Sequence, residues 1–252
     1  MAITPTPAKN IVAILPAAGT GTRMGDNLPK QYLPINGEPM IVHTIRGLLP
    51  VARIRRVVVV IAPHDPHWHA LAARYQRDFG NRVVAVDVGG ATRAASVLNG
   101  MRAAVAADPA CNWALVHDAA RPCIRTELVE QFLDELTDDP VGGLLALPVA
   151  DTLKRGDDDL RVACTVERAG LWRAQTPQMF GIDMLTRALA AMPEATDEAA
   201  AIEALGQRPR LVIGESANLK VTYATDMTLA RILLTEMAMA DRPPHLPDQE
   251  HA

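Results

Sequence analysis

Five short runs of apolar or β-branched residues recur along the chain: Ile11 to Leu15, Val57 to Ile61, Val83 to Val88, Trp113 to His117 and Gly143 to Pro148. None alternates strictly with polar residues, which predicts strands buried on both faces. Helix-like stretches separate most of them. Asp65 followed by Pro66 reads as an N-cap with proline in the first turn, opening a helix that runs toward Phe79. Thr92, Thr126 and Thr225 read as similar starts. After Thr126, Leu128, Phe132, Leu133 and Leu136 return at helical spacing, and the early acids suit the positive helix end. Strands alternating with such helices predict an α/β fold, a Rossmann-like three-layer sandwich with a mostly parallel sheet.

The alternation fails between Asp151 and Arg173. There DTLKRGDDDLRVACTVERAGLW holds Gly-Asp between two segments of weak strand character, which predicts a hairpin standing off the sheet as a protruding β-arm. Residues 1–10 are polar and Pro-rich, and 241–252 lack apolar periodicity, so both ends read as loose. A single domain over 11–240, with the arm at about 151–173, is expected between them.

Composition narrows the class. Of 252 residues, 49% are hydrophobic and 21% charged, enough apolar content for a sizeable core. The net charge of -4 disfavours a basic nucleic-acid binder. The longest apolar runs, Val57 to Ala62 and Val141 to Ala150, fall well short of the roughly 20 residues that a membrane span needs. Lys9 with Ile11 to Ala18 is long enough for an export signal, but Pro16 and the following GTGTRMG count against one. Cys111, Cys123 and Cys164 show no C-x-x-C spacing and are odd in number, which fits reduced thiols in the cytoplasm.

The chemistry begins after the first strand, in LPAAGTGTRMG and NLPKQYLPINGEP. Gly19 and Gly21 remove Cβ atoms where a backbone can approach a ligand, and their amides can face phosphate oxygens. Met24 stands where a dinucleotide fingerprint requires glycine, and no G-K-[ST] ending follows. A glycine loop alone is more often a tight turn. With the cations Arg23 and Lys30 it becomes what a triphosphate requires, amides to wrap it and charge for the α-phosphorus and leaving pyrophosphate. Asp118, in LVHDAARPCI, falls at a strand's carboxyl end, where open α/β sheets bind ligands and a carboxylate can bridge through Mg²⁺ to phosphates. His117 reads as its packed neighbour. VGGATRAASVLNGM adds Gly90 and the hydroxyl of Ser96, an arrangement that by itself is an ordinary strand-to-helix turn. His64, His67 and His69 in HDPHWH sit at a capped helix start and read as surface groups rather than metal ligands.

Together these segments resemble a known family. LPAAGTGTRMG with LPKQYL, GG-x-x-R-x-x-SV, VHDAARP, TVERAGLWRAQTPQ, TDEA and NLKVT, in this order from about Ile11 to Met237, are similar to the 2-C-methyl-D-erythritol 4-phosphate cytidylyltransferases. The opening loop is shared with other nucleotidyltransferases of the same fold; the later motifs are more specific. The resemblance implies transfer of CMP from CTP to methylerythritol phosphate with Mg²⁺ and release of pyrophosphate, in the non-mevalonate isoprenoid route. Arg23 and Lys30 would stabilise the pentacoordinate phosphorus, and Arg168 and Lys220 would orient the sugar phosphate. Asp118 would hold the metal, with Arg121, Thr152, Thr176 and Thr196 as further substrate contacts. Ala17, Ala18, Gly19, Gly21, Lys30, Gly90, Ser96 and Asp118 would line the nucleotide pocket. Members of the family form homodimers by clasping such an arm around the partner, which would deliver Arg168 to the partner's site.

Thr196 is also a fair N-cap for the stretch that follows it. Ala91 departs from relatives that carry an acidic residue near the cytosine, which would leave base discrimination to backbone groups and Ser96. A ribitol 5-phosphate cytidylyltransferase, another sugar-phosphate nucleotidylyltransferase and a silent nucleotide-binding protein are the competing readings. The last is disfavoured because binding alone has little use for cations at the α-phosphate.

Overall fold

Buried β-branched runs pair most readily with one another, and here they build one central sheet. The structure, a computed structural model, describes residues 9–19 and 28–240. Of the expected loose ends 1–10 and 241–252, residues 1–8 and 241–252 lie outside the described residues, as do Gly21 and Arg23, while Lys9 and Asn10 are not loose but hydrogen-bonded to the body of the fold. The strands are β1 (Ile11–Pro16), β2 (Pro34–Ile35), β3 (Glu38–Pro39), β4 (Ile54–Val60), β5 (Val83–Val86), β6 (Trp113–Val116), β7 (Gly142–Pro148), β8 (Leu153–Gly156), β9 (Val162–Val166), β10 (Trp172–Gly181) and β11 (Arg210–Ile213). The helices are α1 (Met40–Leu48), α2 (Trp68–Arg74), α3 (Gln76–Phe79), α4 (Arg93–Ala107), α5 (Thr126–Glu135), α6 (Ile182–Ala191), α7 (Glu198–Ala204) and α8 (Ala224–Ala240).

Seven strands form the main sheet in the order β11-β7-β10-β6-β1-β4-β5. Its neighbours run parallel except that β10 is antiparallel to both β6 and β7. Successive residues of β1 feed opposite faces, so the strand serves two cores. Ile11, Ala13 and Leu15 pack with α1, α2 and α5 on one side, while Val12 and Ile14 pack with α4, α6 and α7 on the other. This is the expected three-layer arrangement. A third cluster joins Leu33, Ile35 and Met40 to Val221, Met227 and Ala230, seating α8 against the segment that follows the glycine loop. Lys9 anchors the entry to β1: its ammonium donates to the Leu136 and Asp139 carbonyls beyond α5 and lies over the Trp113 ring.

The hairpin expected between 151 and 173 is β8 paired with β9, apart from the main sheet. Its end differs from the expectation, because Trp172 and Arg173 already pair with Pro148 and Leu147 in the main sheet. Two strands of the main sheet were not anticipated, β10 and β11, nor was the small separate β2-β3 pair. Asp65 is not the N-cap expected: it accepts from the His67 and Trp68 amides two and three residues on, but His67 holds the cap position of a helix that begins only at Trp68 and breaks at Tyr75 into α2 and α3. Thr92 caps α4 by accepting from the Ala95 amide. Thr126 instead lies inside α5, where its hydroxyl donates to the Gly47 carbonyl, and Arg125 occupies the cap position. Thr225 likewise falls inside α8, and Asp226 accepts from the Thr222 and Tyr223 amides in its place. Thr196 is not the cap of α7: Asp197 accepts from the Ala200 amide.

Candidate active site

β1 lies between β4, reached through α1 on one face of the sheet, and β6, reached through α4 on the other, so the crossovers diverge beside its carboxyl end. Such a switch point opens a crevice. A cleft of about 550 Å³ occupies it. The turn after β1 supplies Ala17, Ala18 and Gly19 to the lining. Gln31 holds this turn, its amide donating to the Ala17 carbonyl at 2.6 Å. A Cβ on Gly19 would meet no atom of the described residues within 4 Å, and the turn presents its backbone to the cleft.

The loop from β5 to α4 adds Gly90, Ala91, Thr92 and Ser96. Ser96 Oγ accepts from the Gly90 amide and donates to the Thr92 carbonyl, both at 3.0 Å. The hydroxyl therefore folds the loop, and the polar side chains here bond mainly within it. Gly89 fits because it lacks a side chain: a Cβ there would lie 2.3 Å from that of Ala18.

Two cations from opposite ends of the chain close the far side. Lys30, in a 3-10 turn at Lys30–Tyr32, donates from Nζ to the Val221 carbonyl at 2.7 Å. Lys220, the residue before Val221, reaches Asp118 Oδ2 at 2.9 Å. Asp118 Oδ1 accepts from Arg93 Nε at 3.1 Å, and Arg121 Nε stands 3.6 Å from Oδ2. Burial alone would raise the Asp118 carboxyl. Arg93, Lys220 and Arg121 outweigh it and hold the group well below the usual carboxylate range, so it is ionised.

Beneath Asp118 runs a chain of hydrogen bonds. Thr176 Oγ1 accepts from the Asp118 amide at 3.0 Å, which leaves its own proton for His117 Nδ1, also at 3.0 Å. His117 Nε2 then faces the Arg121 carbonyl as the donor. Complete burial pushes the imidazole down to about 4, and the geometry agrees, since a proton on Nδ1 would oppose the Thr176 donor. Thr176 follows Gln175 in β10, whose register shifts between Ala174 and Gln178 around the cis Thr176-Pro177 bond. This one strand braces three loops. Gln175 donates to the Glu215 carbonyl, Thr176 holds Asp118, and Gln178 bonds Asp197 and the Ala199 amide.

Of the residues expected from sequence, Ala17, Ala18, Gly19, Lys30, Gly90, Ser96, Asp118 and Lys220 meet in the cleft. Arg121 and Thr176 are buried behind it; Arg121 donates to the Asn218 carbonyl at 2.6 Å, so both support Asp118 from below. Thr152 and Arg168, on the arm, and Thr196 are exposed and do not line the cleft of their own chain.

With that geometry in place, the comparisons are consistent with one another. Residues 11–236 match the sequence profile of the 2-C-methyl-D-erythritol 4-phosphate cytidylyltransferase family. The chain belongs to this family. The 2-C-methyl-D-erythritol 4-phosphate cytidylyltransferase of Nitrosomonas eutropha is 51% identical over 90% of this chain and 98% of its own length. That of Dechloromonas aromatica is 53% identical over 88% and 96%. Among solved structures, a 4-diphosphocytidyl-2C-methyl-D-erythritol synthase superposes with a TM-score of 0.79 at 37% identity, covering 90% of this chain and 99% of that one. The Thermus thermophilus cytidylyltransferase gives 0.71 at 30% identity, over 90% and 99%.

Within this cytidylyltransferase, sequence reading gave no role to Arg93, Glu198, Gln175 or Gln178. Glu198 is wholly buried and takes both terminal nitrogens of Arg93, at 2.5 and 3.1 Å. The signal was present, since Arg93 is the arginine of GG-x-x-R-x-x-SV and Glu198 the acid of TDEA. Among the described residues no helix is long and apolar enough to cross a membrane.

Proposed function

We propose that the chain transfers CMP from CTP to 2-C-methyl-D-erythritol 4-phosphate, releasing pyrophosphate, in non-mevalonate isoprenoid precursor synthesis. The observation that carries this reading is the convergence of Lys220 and Arg93 on one ionised carboxylate, with Lys30 lining the same cleft beside a turn of bare backbone. A phosphomonoester has a second pKa near 6, so the acceptor is already largely dianionic at neutral pH and needs no enzymic base. The difficulty is anion attacking anion. The site must align the two phosphates and stabilise charge on the α-phosphorus. Lys30, with Arg23, serves the pentacoordinate phosphorus; Lys220 exchanges Asp118 for the acceptor phosphate; the Ala17 to Gly19 and Gly90 backbone holds the nucleotide.

Asp118 is the one carboxylate among the described lining residues, and no cluster of three metal-ligating side chains occurs among the described residues. That donor set suits Mg²⁺, which keeps most of its shell as water and substrate phosphate and takes one or two carboxylates. Bound there, the ion would neutralise phosphate charge. Lys30, Lys220 and Arg93 orient the chain's side of that arrangement.

The arm supports a homodimer with arm exchange. Its two strands are exposed along most of their length, Leu160 in the connecting turn and Val162 in β9 are 95% and 65% exposed, and an isolated hairpin is marginal in water. A partner covering it would receive Arg168, Thr152 and their neighbours. Free Cys111, Cys123 and Cys164 fit a reducing cytoplasm. The test is pyrophosphate release from CTP with methylerythritol phosphate, ribitol 5-phosphate and a hexose phosphate in parallel. Preference for either of the others would overturn the acceptor assignment. For the shared site, mixing inactive Lys30→Ala and Arg168→Ala proteins should restore activity, since one site per heterodimer is then intact. No recovery after verified subunit exchange would remove arm exchange.

A further inference from the structure

A carboxylate that must accept a divalent cation is here surrounded by cations. Asp118 faces Arg93, Arg121 and Lys220 at 3.1, 3.6 and 2.9 Å. Lys220 is 45% exposed and free to swing toward an incoming phosphate. Arg121 is turned away at its tip, where Nη1 donates to the Asn218 carbonyl. Arg93 has no such freedom, because Glu198 grips both of its terminal nitrogens and leaves Nε for Asp118 Oδ1. The frame around this pair is tied as well. Thr92, next to Arg93, donates to the Pro193 carbonyl in the loop that leads to Glu198. Gln178 accepts from the amide of Ala199, the next residue.

Burying a carboxylate completely is costly, and an apolar pair would often hold a core as well. A role beyond packing accounts for the expense. We infer that Glu198 is a positioning and charge-balancing residue: it takes up the charge of Arg93, so that Arg93 orients Asp118 without cancelling its attraction for the nucleotide-bound divalent cation. Arg93 and Glu198 then act as one neutral, rigid hydrogen-bonding unit. The inference rests on the cytidylyltransferase reading for the identity of the nucleotide.

The experiment uses the full chain and measures the CTP dissociation constant by calorimetry, in EDTA and in Mg²⁺. Their ratio is the factor by which the metal tightens CTP, and it involves no turnover. Loss of an outer partner of a metal ligand costs about 10- to 100-fold in metal affinity. Glu198→Gln should therefore lower the ratio about tenfold or more, while CTP affinity in EDTA stays close to wild type. Removing both charges, in Arg93→Gln with Glu198→Gln, should recover part of the ratio, since the uncompensated cation is gone and only the orienting bond to Asp118 is missing; a merely structural pair would make the double variant worse. Asp118→Asn should reduce the ratio to near one, with no further effect of Glu198→Gln. If Glu198→Gln does not fold by circular dichroism, Glu198→Asp, too short to grip Arg93 with both oxygens, should show the same loss in smaller degree. An unchanged ratio in the folded single variant, or a double variant below it, overturns the inference. Wild-type protein that couples Mg²⁺ to CTP yet releases no pyrophosphate with any acceptor would instead overturn the acceptor reading alone.

Discussion

Mild acid should weaken this fold through a single imidazole. His117 is fully buried and held neutral, with its pKa lowered from 6.5 to about 4 by burial. In the unfolded chain it takes up a proton below pH 6.5, whereas in the folded chain it resists protonation until near pH 4. The unfolded state therefore binds more protons across that window, and stability falls as pH falls through it. The contribution is complete above pH 6.5 and absent below about 4. One proton corresponds to about 1.4 kcal/mol per pH unit, so integration from pH 7 to 5 gives a loss of about 2 kcal/mol. Urea unfolding in EDTA, followed by circular dichroism at half-unit steps from pH 7.5 to 5, measures it. His117→Gln keeps a polar group toward Thr176 and Arg121 but has no proton to bind, so its stability curve should be flatter by about that amount even if its overall stability is lower. Parallel curves for the two proteins would refute the reasoning, and the neutral Thr176–His117–Arg121 chain with it.

Lys30→Ala should lower kcat by roughly 100-fold or more, the scale for losing one donor to a developing charge, and near-normal turnover would remove it from the transition state. Gly89→Ala forces a Cβ to within 2.3 Å of that of Ala18, where only backbone can move, so urea unfolding should show a loss of about 1–3 kcal/mol along with weaker CTP binding. Gly19→Ala meets no atom of the described residues within 4 Å, so it should weaken CTP binding while leaving the unfolding midpoint in place. Cys123, whose thiol burial pushes up to about 12, and buried Cys111 should resist a disulfide reagent at pH 8 until denaturant is added.

The parallel strands were legible because both of their faces are buried, which writes them as unbroken apolar runs. β10 was not. Its centre reads Gln175, Thr176, Pro177, Gln178, and a proline with three polar residues argues against a central strand. Those side chains are buried because each is hydrogen-bonded to a loop from another part of the chain, a condition no local window contains. β11 was missed for a simpler reason, being four residues of which three are exposed. Site residues were legible where a motif carried them, as with Lys30, Asp118 and Lys220. Arg93 and Glu198 also lie in motifs, but their pairing was not legible, since they are 105 residues apart and each resembles an ordinary helix-start charge. The capping threonines show the same limit: Thr92 kept its local partner, while Thr126 exchanged one for the Gly47 carbonyl of a neighbouring helix.

The bond from Lys30 to the Val221 carbonyl spans 191 positions. On the ribosome, chain emerges at roughly 5–20 residues per second, so many seconds separate the appearance of these two groups. The first half of the sheet is available early, together with Lys30 and Arg93, but Lys220 and the Val221 carbonyl that fixes Lys30 arrive late. Any truncation upstream of Val221 therefore leaves the nucleotide-binding loops without Lys220 and without the carbonyl that positions Lys30, and CTP finds the N-terminal half an incomplete template.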